Sequence, residues 1–485
     1  MSTLSELLPA GGGGSTVDFV ASGTLPNGKP VILNANGTVE VVGESSTSVA
    51  ESIPAGSVVP FLTRSTAYIE VAFDPYHVGQ FIITYRDYDN SGYGTAIMGT
   101  VSGTSITFGA SFVFWSGVGT QYAIAFDPNT ENKFVIIYRQ TGSTSNQGGS
   151  VAGTISGANL SFSSEVLFHS AETLDIAIAF DPNTAGKFVV TYRDESNSSK
   201  GTAVVGTLSG TSISYGSEYV FNSTGSSTNT SIAFDPNTSG KFTVAFTYSG
   251  VQAVVGTVSG TSLTFGSLYE VQASTGHQVS VVFDPNTAGK FIVVYQDAGN
   301  SYYGTSVVGT LSGTSISYGS EYVFNSGNSS PISVAFDPNT ATKFIVTYKD
   351  SGNSGYGTLN VGVISGTALT YGPDIVFSSG SAGYPSIAFD PNTAGKFVVA
   401  YQDDSSTNKG TAVVGQMATS VTVTNLTTSN FVGTSTAAYT NGQTATIAVQ
   451  GGLSTNQTGL TIGSTYFVQP AGTLATTAGT PSVNA

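Results

Sequence analysis

The chain has 485 residues and a formal net charge of −15, with only 9% charged residues but 39% hydrophobic ones, including 28 Phe and 24 Tyr. It is too apolar and aromatic for disorder, and its acidic balance opposes nucleic-acid binding. With no Cys, disulfide frameworks, iron–sulfur clusters, Cys-ligated zinc and thiol nucleophiles are excluded.

Residues 1–14, MSTLSELLPAGGGG, end in a Gly run and read as a flexible tail. They lack a basic n-region and an apolar core, so no Sec export is expected. No later stretch approaches the ~18 apolar residues of a membrane helix, so no membrane insertion is expected either. Residues 15–55 contain GKPVILNANGTVEVV, which predicts a β-hairpin about Asn36-Gly37 within a small N-terminal module and linker.

From residue 56 the chain repeats. The phrase [VI]-x-F-D-P recurs with its Asp at Asp74, Asp127, Asp181, Asp235, Asp284, Asp337 and Asp390, at spacings of 53, 54, 54, 49, 53 and 53. Each Asp is followed by a turn (mostly NTAGK), an apolar run such as FVVTY (188–192), and a Gly/Ser/Asn loop. Two further strand-like runs complete the unit, as in GTAVVGTLSG (201–210) and TSISYGSEYVFNS (211–223). Four short runs per unit, in units that cannot bury both faces alone, predict an all-β fold: a seven-bladed β-propeller over 56–418.

The ends of the array predict how it closes. Gly56 to Asp74, GSVVPFLTRSTAYIEVAFD, aligns without gaps on Gly319 to Asp337, GSEYVFNSGNSSPISVAFD. Residues 56–63 therefore read as an outer strand with no blade of their own. The seventh unit departs into TSVTVTNLTTSNFVG and lacks its fourth strand. The N-terminal strand is expected to fill that place. Residues 419–485, with GLTIGSTYFVQPAGTL (459–474), predict a second small β module.

The N-terminal LPAGGGGSTVDFVASGTLPNGKPVILNANGTVEVV, the repeats and the C-terminal GLTIGSTYFVQPAGTL together resemble tail-fibre and tail-associated virion proteins of tailed bacteriophages, particularly marine ones. The resemblance covers nearly the whole chain. It implies a virion structural protein, assembled in the host cytoplasm with other tail proteins, that carries the propeller outward for host attachment. Homotrimers are common among such fibres, although no coiled-coil heptad here supports one.

Strand direction puts the DPNTAGK and SGTS turns on one face of the array and the loops that vary between units on the other, where binding is expected. Flat rings stack on sugars and anchor interfaces. The candidate ligand-binding residues are therefore Trp115, Tyr122, Tyr88, Tyr93, Tyr302, Tyr303, Tyr356 and Tyr384. The competing reading of Trp115 is packing between blades, where Asn222 and Asn325 hold its place in other units.

The repeated Asp reads as a turn cap rather than a carboxylate ring. Arg86, Arg139 and Arg193 would suit an anionic sugar, but Arg86 and Arg193 each precede an Asp, and Gln296, Lys349 and Gln402 replace them in later units. Local pairing is favoured. No spacing among Asp87, Asp89, Asp194, Glu195, Asp403 and Asp404 selects a hydrolytic pair. No loop matches a calcium motif, and His77, His169 and His277 lie far apart in sequence. No catalytic residue, metal or cofactor is expected.

The reading is non-catalytic attachment to a host-surface polysaccharide or envelope protein. The alternatives are a purely structural tail or decoration subunit and, behind it, a glycan depolymerase.

Overall fold

A computed structural model describes residues 16–49, 58–141, 146–417, 419–426, 430–449, 467–469, 471–476 and 483–484. The expected flexible tail, residues 56–57 of the expected closing strand and residues 459–466 of the C-terminal run lie outside them. The protein is all-β, with antiparallel sheets and single turns of 3₁₀ helix. It divides into one unit of residues 50–419 and another that joins residues 1–49 to 420–485.

In the larger unit each repeat becomes an antiparallel sheet whose middle strands are apolar at consecutive positions. In Lys187–Asp194 the run Phe188 to Tyr192 is fully buried, because neighbouring sheets cover both of its faces. Burying each such side chain contributes about 1.5–3 kcal/mol. The first sheet pairs the end of Val58–Phe73 with Gln80–Asp87, then Tyr93–Ser102, then the start of Ser105–Phe126. That last strand continues into the second sheet, where its end pairs with Lys133–Gln140. Repetition gives seven four-stranded antiparallel sheets among the described residues.

The fourth strand of the seventh sheet comes from the other end of the array. Val58, Val59, Pro60, Leu62 and Ser65 pair with Val413, Ala412, Thr411, Gly410 and Lys409. The first strands of successive sheets pack side by side in chain order, and that of the seventh packs against that of the first.

The repeated Asp ties this arrangement together. All seven are buried, and in each one Oδ1 accepts from the backbone N–H two residues later, as in Asn183 N to Asp181 at 3.0 Å. They are turn caps. Where Oδ2 is engaged by the next sheet the same contact recurs: Gly186 N donates to Asp127, Thr342 N to Asp284, and Gly79 N of the first sheet to Asp390 of the seventh, at 2.9, 3.1 and 3.0 Å.

The smaller unit departs from the expectation of two separate modules. Thr16–Ala21, Pro30–Leu33, Thr38–Val41, Phe431–Ser435 and Thr444–Val449 form one closed five-stranded barrel. Its N-terminal strand pairs with its C-terminal one, from Thr16 opposite Ala448 to Val20 opposite Thr444. Neither segment alone can bury Leu25, Val31, Val39, Val432 and Ile447, which form the shared core. The expected hairpin is present: Leu33 lies opposite Val39, and Gly37 turns the chain at φ +82°.

Candidate functional site

The first strand of every sheet breaks register at one place. Pairing stops two residues short and resumes beyond, as between Ala67 and Glu70, Thr120 and Ala123, and Gly383 and Ser386. The same break occurs in the other four sheets. Such bulges re-aim side chains and often lie beside functional sites. The residue six positions before the repeated Asp lies in this break in every sheet: Tyr68, Gln121, Asp175, Asn229, Gln278, Pro331 and Tyr384, the first bulged residue in all but the sixth sheet, where Ser330 precedes Pro331.

All except Pro331 have φ between 48° and 53°, the left-handed region. There a non-glycine residue costs on the order of 1 kcal/mol. Glycine would relieve that cost at six places, and the chain uses it at none. These seven residues share the lining of one cavity of about 510 Å³, a size suited to a small molecule.

The cavity mouth has two unlike arcs. On one side Tyr68 and Tyr384 lie with ring centroids 5.1 Å apart, and Tyr122 meets Tyr68 edge-on at 6.4 Å. On the other side are the amides of Gln121, Asn229 and Gln278, with Asp175 between the first two. Gln121 Oε1 accepts from Asp175 N at 3.0 Å, and Thr230 Oγ1 donates to the Asp175 carbonyl, so three sheets are linked along this arc. Gln278 makes no side-chain hydrogen bond among the described residues.

Below the mouth the lining shrinks to Ala123, Ala177, Ser231, Ser280 and Ser333, with Glu70 in the first sheet. A second, mostly apolar cavity of about 380 Å³ continues toward the Asp turns, sharing Ile232, Val281 and Val282.

Two acids line the upper cavity, and burial shifts both. It raises the Glu70 carboxyl from its ordinary 4.5 to about 7, partly opposed by the Ser386 hydroxyl, which donates to Glu70 Oε2 at 2.9 Å. Burial also raises Asp175, against the attraction of the Arg193 guanidinium 3.5 Å away. Between pH 4.5 and 7 the folded chain therefore holds a proton on Glu70 that the unfolded chain releases, and stability falls as pH rises through that window. Glu70→Gln keeps an acceptor for Ser386 and removes the charge. It is expected to stabilise the protein by about 1–3 kcal/mol at pH 8 and by almost nothing at pH 4. Urea unfolding at both pH values measures this, and an equal effect at both would refute the assignment.

The expected ligand residues fall into three groups. Tyr384, 36% exposed, belongs to the mouth itself, whereas Tyr122, 4% exposed, is packed beneath the rim against Phe114. Tyr88 is 44% exposed, and the Arg86 guanidinium lies 4.5 Å over its ring. Tyr302, 45% exposed, faces His277, the residue before Gln278, at 6.3 Å. Tyr93, Tyr303 and Tyr356 are half-buried, each opening a third strand opposite Asp87, Asp297 or Asp350.

Trp115 is half-buried, and its contact is the one that its competing reading expects. It stacks on Tyr138 of the next sheet at 4.9 Å and 29°, which is packing between sheets.

Several loops read as variable are one recurring turn. Asp87, Asp194, Asp297 and Asp350 each cap a single 3₁₀ turn that ends in a left-handed Ser. The remaining charges are engaged locally: Arg193 with Glu195 at 2.6 Å, Arg139 with Glu172 at 3.2 Å, Lys349 with Asp404 at 3.0 Å, and Arg64 with Asp89 at 3.8 Å.

His169 unexpectedly meets Glu218 at Nδ1, 2.7 Å, and Asp194 at Nε2, 3.2 Å. The two carboxylates lie at opposite ring nitrogens, and the ring joins the second sheet to the third. A metal would have to compete with those contacts.

No protein-family model and no curated protein matches the chain, so its functional reading rests on these residues.

Proposed function

We propose that residues 58–417 form a seven-bladed β-propeller closed by its N-terminal strand. In this reading the chain is a virion protein of the tail-fibre kind, assembled with other tail proteins, that attaches to a host-surface glycan without cleaving it. The propeller reading is supported by the cyclic packing of the seven first strands and by the contacts that join the seventh sheet to the first. The attachment reading is carried by the ring of strained aromatic and polar residues around the cavity mouth. Its aromatic arc suits the apolar face of a sugar, and its amides can donate to and accept from hydroxyls. Several copies on one particle would convert weak single-site binding into avidity.

Fluorescent full-length protein should bind intact host cells saturably. Tyr384→Ala and Tyr68→Ala should each weaken single-site binding about tenfold or more while the ring stays folded. Unchanged binding in both variants would remove the mouth from the reading. No binding to any susceptible host, even by clustered protein, would favour a structural tail subunit.

A further inference from the structure

The geometry points to a narrower ligand class: the mouth takes the uncharged terminal sugar of a chain, entering end-on. This rests on the glycan reading above and adds two restrictions to it.

The first restriction comes from enclosure. The first strands of the seven sheets line the cavity, each packed on the next, and its polar mouth gives way to the mostly apolar lining of the second cavity. A sugar inside a polymer continues in two directions and would need an open groove. A terminal sugar continues in one, and the cavity offers one polar entrance.

The second restriction comes from charge. The arginines nearest the polar arc are already matched, Arg193 by Glu195 and Asp175, and Arg139 by Glu172. Glu70 and Asp175 contribute only acid to the lining. A uronic or sialic carboxylate placed there would be desolvated beside acids, and among the described residues the cavity lining holds no Lys, Arg or His to pair with it. A neutral sugar avoids that cost and finds Gln278 with its amide unengaged. One orphaned polar atom also lies in the wall, the buried Tyr122 hydroxyl, which has no hydrogen-bond partner. A hydroxyl-rich ligand, directly or through water, is the chemistry that satisfies such an atom.

The test is saturation-transfer NMR on the full chain with free monosaccharides. One set holds neutral hexoses, deoxyhexoses and N-acetylhexosamines, and the other holds uronic and sialic acids. At least one neutral sugar should bind and should compete with cell attachment. Its binding should weaken about tenfold or more in Gln278→Ala and in Tyr384→Ala, with Trp115→Phe as a folded control outside the mouth. Binding confined to acidic sugars, or no monosaccharide binding, would overturn the proposal. Mild periodate treatment of the host cells then separates the two readings. Periodate-sensitive attachment leaves glycan recognition standing without this ligand class, and insensitive attachment removes both.

Discussion

Gly256→Ala is expected to destabilise the larger unit by about 3 kcal/mol or more, although it adds one methyl group. Gly256 lies directly opposite Phe242 across two middle strands, and a Cβ there would sit 2.0 Å from the Phe242 ring. The ring is fully buried, with the Phe234 ring at 5.3 Å and the Phe265 ring at 5.8 Å. The same Phe–Gly pair recurs in all seven sheets, from Phe81 with Gly99 to Phe397 with Gly415, each with a clash of 2.0–2.2 Å. The glycine thus accommodates an aromatic ring from the neighbouring strand. Alanine's lower unfolded-state entropy recovers only about 0.4–1 kcal/mol. Gly266→Ala is the control, because its Cβ would meet nothing nearer than 3.5 Å. Urea midpoints should separate the two variants clearly. Phe242→Leu added to Gly256→Ala should cost less than the sum of the single changes, since the smaller side chain leaves room for the methyl. An additive double mutant would show that the ring is not the obstacle.

That Phe–Gly pair illustrates what the sequence made legible. The period, the strand count and the capping Asp all follow from identity between repeats. The pairing of residues 58–65 with 409–413 follows from one gap-free alignment of Gly56–Asp74 on a later repeat. Identity is also why, of the seven mouth residues, sequence comparison picked out Tyr384 alone. Those seven are Tyr, Gln, Asp, Asn, Gln, Pro and Tyr, so comparison of repeats passes over the others as unremarkable strand starts. Two-residue alternation cannot place them either, because the bulge suspends that alternation where it matters. A usable signal was Glu70, an acid where the other repeats carry Ala or Ser. The stacking of Trp115 on Tyr138 was not legible, because Tyr138 lies in the next repeat and only packing joins them. The five-stranded barrel was hidden by distance, since no local pattern announces that Val17 pairs with Ile447.

Phe61→Ala is the second large effect, expected to cost about 3–5 kcal/mol. Phe61 is 8% exposed, with its ring 5.2 Å from that of Tyr85 and 5.8 Å from that of Phe108. It fills the space left by Gly410, where a Cβ would lie 2.3 Å from the Phe61 ring. Phe221 over Gly201 and Phe324 over Gly304 make the same contact in other sheets. Those phenylalanines are short-range neighbours of their glycines along the chain, whereas Phe61 reaches Gly410 from the opposite end of the array. The same truncation should therefore have different consequences at the two kinds of site. Phe221→Ala should weaken its sheet in place, because the strand is still tethered on both sides. Phe61→Ala should release a strand whose return requires bringing the two ends of the array back together. Hydrogen exchange should then lose protection jointly in residues 58–65 and 409–416 before the other sheets respond, with Lys409–Gln416 left as an unpaired edge. If the two segments exchange independently, or if the cost is below about 1 kcal/mol, the N-terminal strand is an accessory and the seventh sheet holds without it.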